Sequence, residues 1–334
     1  MMNQAWIQEH VDSFIAENRE ALLRDMKTVI DIDSVEAPAE PNAPYGAGVR
    51  KALDAALAIA RDLGLSTGEC DGYMGYADVK GDSDTQLATI THLDVVPAGN
   101  GWDSDPFDMI EKEGWLIGRG VSDDKGPALL TLYMAKFFKE YCDQTGETLP
   151  YTLRVLLGCS EETGMTDVDY YLERNPMPAF CFTPDAEFPV GYGEKGNFGG
   201  VFVSQKLSGN LRDFAGGVAG NVVPARASAL VKADFASLQE TENVKLAAEG
   251  DCVRITGYGI GGHASKPQGT VNAIGLVVNY LLDNHLCTSA ENEYLAMLRT
   301  LLSCTDGSSF GIACQDEFFD PLTCIEIGRA SCRE

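Results

Sequence analysis

Apolar residues recur at helical spacing through residues 3 to 30 and again through "YGAGVRKALDAALAIARDLGL" (45 to 65), which predicts two amphipathic helices. A strand-like run, "TQLATITHLDVV", comes next, and a helix over "PALLTLYMAKFFKEYCDQ" follows it. Then come a strand in "YTLRVLLGCS", a short helix in "MTDVDYYLER" and a further strand in "PAFCFTPDA". Strands alternating with helices predict an α/β fold: a mostly parallel sheet with helices on both faces. After about Glu187 the texture changes. "GNFGGVFVSQKLSG", "RASALVKADF" and "DCVRITGYGIGG" alternate like half-exposed antiparallel strands, and "VNAIGLVVNYLLDNHL" reads as a helix packed on one face. Residues 1–187 and 188–326 are therefore expected to be separate domains, the second a smaller α+β one.

Length agrees with that division, since 334 residues are enough for about two domains. The net charge of -25 repels phosphate backbones and anionic lipid, so neither nucleic acid nor a membrane surface is an expected partner. The N-terminal segment lacks the uninterrupted apolar core of a signal peptide, and no later window reaches the ~18 to 20 apolar residues of a membrane span. A cytoplasmic protein is expected. The ten cysteines are scattered and form no CxxC pair, so reduced, mostly buried thiols are expected.

Every polar cluster in the first half follows an apolar run, where α/β sheets bind ligands. His92 and Asp94 stand two apart at the end of the first strand and can face one spot, as a metal ligand and its orienting carboxylate or as a polar pair closing a strand. Asp123 and Asp124 precede Lys125 and Gly126 at a helix start, where one aspartate can cap the helix or the pair can bridge cations. Glu161 and Glu162 follow a buried strand; adjacent loop residues can point apart, so one can bind a metal and the other deprotonate a water. Asp185 again follows an apolar strand. One imidazole among carboxylates suits Zn, Mn or Co better than a thiolate-type structural zinc site. The four clusters together point to a two-metal hydrolase. "GYGEKG" matches GxGxxG literally but runs into a strand-like segment where a dinucleotide site needs a helix, so nucleotide binding is not expected.

The strings "HLDVVPAG", "GWDSDPF", "GRGVSDDKGP", "SEETG", "TPDAEFPV", "NVVPARA" and "GGHASKPQGTVNAI", in that order, resemble the dinuclear metallopeptidases. That family includes dipeptidase V, carnosinase-like dipeptidases, acetylornithine deacetylase, succinyl-diaminopimelate desuccinylase and glutamate carboxypeptidase. "DDKGP" and "TPDAEFPV" look most like the dipeptidase V branch. The resemblance implies two divalent ions, Zn or Mn, with His92 and Asp185 on one, Glu162 on the other and Asp123 bridging. It implies Glu161 as general base, Asp94 orienting His92, and a lid domain inserted in the catalytic domain, whose Asn221 and His263 hold substrate and stabilise the oxyanion. The implied reaction is hydrolysis of small peptides, foremost unmodified dipeptides, by a homodimer or a monomer. N-acyl amino acid deacylation is the alternative, and a non-catalytic metal-binding relative is a third reading.

In one respect the chain departs from the family pattern, which delivers a second histidine ligand near the C-terminus. The only histidine after His263 is His285, in "LLDNHLCTS", where no motif places it at metals. The last residues, "IGRASCRE" (327–334), resemble the translation of a common short-read sequencing adapter. The expectation is a non-native tail on a chain cut off inside its lid, inactive as it stands.

Overall fold

The computed structural model describes residues 4–99, 102–186, 189–191, 193, 195–201, 203, 209–217, 220–325 and 330–331. Two compact units emerge, Met1–Tyr192 and Gly193–Glu334.

The first unit begins with helices α1 (Gln4–Ile30) and α2 (Ala47–Asp62), the hairpin β1 (Ser66–Cys70) and β2 (Met74–Val79), and strand β3 (Gln86–His92). A small ribbon, β4 (Ile110–Lys112) and β5 (Trp115–Ile117), precedes α3 (Lys125–Thr145), β6 (Thr152–Gly158), α4 (Thr166–Leu172) and β7 (Phe180–Phe182). The sheet order is β1-β2-β6-β3-β7. β3 runs parallel to both β6 and β7, while β1 and β2 complete the other edge in antiparallel register. All seven residues of β6 are buried, as a strand covered on both faces requires.

Alternation along the strands sorts the core into two layers. Ala77, Val79, Leu153, Val155 and Leu157 pack with Val29, Leu53 and Leu132 of α1, α2 and α3. Met74, Ala88 and Leu156 meet Tyr171 of α4. α3 stops where Gly146 takes a left-handed conformation (φ 70°) and returns its N–H to the Cys142 carbonyl. The expected helices and strands of this half are all present. The β1–β2 hairpin and the β4–β5 ribbon were not foreseen, because strands of three to six residues with little alternation give a weak signal.

The second unit contains β8 (Leu211–Gly216), β9 (Val222–Val223), β10 (Arg226–Lys232), β11 (Val244–Glu249), β12 (Cys252–Tyr258), β13 (Gly262–His263), α5 (Ala273–Asp283), α6 (Ser289–Leu301) and β14 (Ala330–Ser331). Its antiparallel sheet runs β11-β12-β10-β8-β14. Ile274, Val277 and Leu281 of α5, with Leu295 and Leu298 of α6, join Ala229, Val231, Val253 and Ile255 of the sheet in one core. A capping box between Thr288 and Glu291 starts α6. The alternation in 196–209 does not produce the expected strand over 196–201: Phe198 and Val201 are almost fully exposed there, and among the described residues no neighbouring strand pairs with them. Residues 202 and 204–208 of that run lie outside the described residues, as do 327–329 and 332–334 of the expected tail.

A buried ionic cluster ties the first unit's sheet to α4. Arg154 on β6 donates from Nε and Nη2 to the two carboxylate oxygens of Asp78, both at 2.8 Å, and from Nη1 to Tyr171 Oη at 2.7 Å. Removing one partner of such a pair leaves a buried charge uncompensated. Arg154→Met is expected to lower unfolding free energy by about 3 kcal/mol in urea titrations, with Asp78→Leu added to it restoring part of the loss. A loss under about 0.5 kcal/mol would show the cluster to be effectively solvated.

Candidate metal centre

The three parallel strands end side by side, and their carboxyl ends carry the candidate residues. His92 is the last residue of β3 and pairs in register with Gly158, the last of β6. Glu161 and Glu162 lie just past β6, Asp185 three residues past β7, and Asp123 and Asp124 lead into α3. Sites at the carboxyl ends of parallel strands are the general rule for α/β sheets.

The His92 side chain is almost fully buried. Its Nε2 lies 3.0 Å from Asp123 Oδ1, 3.4 Å from Asp185 Oδ2 and 3.9 Å from Glu161 Oε2. Its other ring nitrogen, Nδ1, is 2.9 Å from the Asp94 backbone carbonyl and 3.4 Å from Asp94 Oδ1. The residue two positions on therefore lies against the ring, with its main-chain oxygen nearer than its carboxylate. The Asp94 carboxylate is engaged elsewhere: its two oxygens accept the backbone N–H groups of Glu161 (3.2 Å) and Glu162 (3.1 Å).

Asp124 is the residue to which the resemblance gave no separate role. It stands at the N-cap position of α3 but makes no capping bond with its side chain. Its fully buried carboxylate turns back instead, and Oδ2 accepts the His92 backbone N–H at 3.0 Å. Its Oδ1 is buried with no hydrogen-bond partner among the described residues. The adjacency of two aspartates was the available signal, and only the fold reveals which one is buried. Lys125, also fully buried, donates from Nζ to the Ile32 carbonyl at 2.7 Å and so fastens the start of α3 to the segment after α1.

Two donor groups result, each with ligand atoms within 4.8 Å of one another: His92, Asp124 and Asp185; and His92, Asp123 and Glu162. Glu161 belongs to neither. Around one imidazole, Asp94, Asp123, Asp124, Glu161, Glu162 and Asp185 gather six carboxyl groups, and their proton affinities register the crowding. Burial, then the charge of Asp185, pushes Asp124 up to about 8. Burial, then Asp123, pushes Glu162 up to about 7, and burial raises Glu161 as well. Burial pulls the His92 imidazole down, but its bonds to Asp123, Asp185 and Asp94 outweigh that and hold it well above the ordinary value. Asp123 is held low, foremost by its bond to His92. A partnerless buried oxygen, an imidazole and oxygen donors that resist joint ionisation are what a divalent cation fits.

Asn221 and His263 belong to the second unit. His263 lies in the β9–β13 ribbon, where it pairs with Val222, and Asn221 immediately precedes β9, its carbonyl accepting the Ala264 N–H at 2.8 Å. Both side chains are exposed, and His263 Nδ1 lies 2.6 Å from Ser265 Oγ. His285 sits exposed beyond the end of α5 with φ 57°. The nine described cysteines are all free. Among the described residues no helix is long and apolar enough to cross a membrane.

Residues 88–275 match the family described as Peptidase family M20/M25/M40. A Beta-Ala-Xaa dipeptidase of Lactobacillus delbrueckii subsp. lactis is 34% identical over 302 residues, which cover 84% of this chain and 62% of that protein. YtjP of Bacillus subtilis (strain 168), which carries a provisional dipeptidase name, is 29% identical over 340 residues, covering 96% of this chain and 72% of its own. Among solved structures, human carnosine dipeptidase 1 superposes with a TM-score of 0.44 at 20% identity, over 54% of this chain and 41% of that one. The matched segment spans β3 through the start of α5 and so contains every donor assembled around His92: the chain belongs to the M20/M25/M40 peptidase family.

Proposed function

We propose that the chain carries the metal centre of a dipeptidase that works with two divalent cations. The observation behind this is one buried imidazole shared by two donor groups at the carboxyl ends of parallel strands. The name of the Lactobacillus relative supports a dipeptide as substrate. In this reading His92 and Asp185 hold one cation, with Asp124 within reach of the same position, Glu162 holds the other and Asp123 bridges them. Residues 1–187 then belong to the catalytic domain and 188–326 to a lid domain, in which Asn221 and His263 are substrate-binding residues.

The cations would act as Lewis acids, polarising the scissile carbonyl and acidifying the attacking water. Glu161 takes the proton from that water and returns it to the leaving amine. Three features suit Glu161 to proton transfer. It stands outside both donor groups, its Oε2 lies 3.9 Å from His92 Nε2, and burial raises its proton affinity. Asp94 holds the ring through its carbonyl and the Glu161–Glu162 backbone through its carboxylate.

Two outcomes test this reading. Manganese or zinc should support hydrolysis of free dipeptides, and Glu161→Ala should cut turnover by about 10³-fold with metal affinity nearly unchanged. Hydrolysis of N-acetyl amino acids alone would replace the dipeptidase reading with a deacylase, and equal loss of metal from the variant would make Glu161 a ligand. Stability of the metal-free chain should follow the carboxyl groups. Asp124 and Glu162 bind protons more tightly folded than unfolded, so their contribution is complete below about pH 4 and is lost as pH rises through 7 to 8. Melting temperature with chelator should therefore fall between pH 5 and 9. Asp124→Asn should flatten that fall, and saturating manganese should abolish it. The same pH trend with and without metal would count against a cation in this cluster.

A further inference from the structure

We propose that Asp167 is a positioning residue for the two glutamates, one jaw of a two-carboxylate clamp whose other jaw is Asp94. The proposal rests on the metal reading above and adds to it a residue that was not among the candidates read from the sequence.

Asp167 lies on α4 and is 1% exposed. Its Oδ2 accepts the backbone N–H of Cys159 at 2.6 Å and of Ser160 at 3.3 Å, and its Oδ1 accepts that of Val168 at 2.9 Å. The next two amides, of Glu161 and Glu162, go to the carboxylate of Asp94. Four consecutive N–H groups, 159 to 162, are thus held by two carboxylates from different elements, one after β3 and one on α4. Charge-assisted bonds of this kind are about twice as strong as neutral ones. Holding the main chain on both jaws lets the adjacent side chains diverge, one toward the cations and one toward the water.

The surroundings keep the second jaw in place. A Cβ on Gly158 would lie 2.7 Å from Asp167 Oδ2, so the glycine at the end of β6 leaves room for the carboxylate. α4 itself is pinned by Tyr171, which accepts from Arg154, and by Thr166, whose Oγ1 is 2.8 Å from Tyr45 Oη. A buried aspartate that merely closes a local turn is the plainer reading. It accounts for the bonds to Cys159 and Ser160 but predicts no link to Glu161, Glu162 or the cations.

Manganese titration and amide hydrogen exchange on the chain and on Asp167→Asn separate the two readings. Asparagine keeps the shape and one acceptor oxygen, and the neutral side chain is easier to bury. The clamp predicts manganese affinity lowered about 10- to 100-fold, the range for groups that orient ligands from behind. It also predicts faster exchange at Glu161 and Glu162, although their own acceptor, Asp94, is untouched. Affinity within twofold of the parent, with faster exchange confined to Cys159 and Ser160, would overturn it. Should the variant not fold, the parent decides by reciprocity: manganese must slow exchange at Cys159 and Ser160, which touch no cation, and unchanged exchange there refutes the clamp. A parent chain that binds no manganese overturns the metal reading and the clamp with it, whereas a parent that binds and a variant that binds equally well overturn the clamp alone.

Discussion

Six carboxyl groups converge on one buried imidazole, and that concentration of negative charge is the constraint to which the rest of the first unit responds. Like charges a few ångströms apart in a partly desolvated site cannot all ionise without a counter-charge. His92 supplies at most one positive charge. The remaining imbalance selects small divalent cations with oxygen and imidazole donors, and it adds to the burial that first of all raises the proton affinities of Asp124 and Glu162.

Such a cluster would push itself apart on a flexible frame. The frame here is a sheet whose central strands are buried on both faces, and the donors sit on short extensions of those strands. Main-chain bonds do most of the holding: Asp124 to the His92 amide, the Asp94 carbonyl to the His92 ring, and the Asp94 carboxylate to two glutamate amides. Buried charge is therefore used twice, once toward the cation position and once toward the backbone that presents it. Lys125 extends the same logic, since its buried ammonium anchors the helix start that carries Asp123 and Asp124.

Much of this was legible in the amino-acid order, because strong periodicity marks β3, α3 and β6, and because polar clusters placed after apolar runs mark strand ends. His92, the pairs Asp123–Asp124 and Glu161–Glu162, and Asp185 could be picked from the chain as residues with the right chemistry at the right junctions; the resemblance singled out Asp123 and Glu162 as ligands, and the fold does bring the whole set together. Less was legible where two neighbours share a residue type. Nothing in "DDK" tells which aspartate turns inward, and that depends on the path of the chain into α3. Asp94 read as a partner of the imidazole through its carboxylate, whereas the nearer atom is its carbonyl, an atom every residue carries. Asp167 gave no signal, since an aspartate early in a short helix is common and its partners lie seven and eight residues back. The alternating run at 196–201 shows the opposite failure, a strand-like pattern with no neighbour to pair with among the described residues.

The order β1-β2-β6-β3-β7 has a consequence for how the molecule comes into being on the ribosome. β3 is the middle of the parallel set, yet both strands that flank it are encoded after it, β6 about 60 and β7 about 90 residues later. Until translation passes Phe182, β3 lacks its full set of edge partners, and its apolar face and unpaired amides stay open to any other strand. His92, at the end of that strand, is made early and completed late. The window between is when this chain is most exposed to misassembly, and a chaperone or a slow stretch of codons would matter most there.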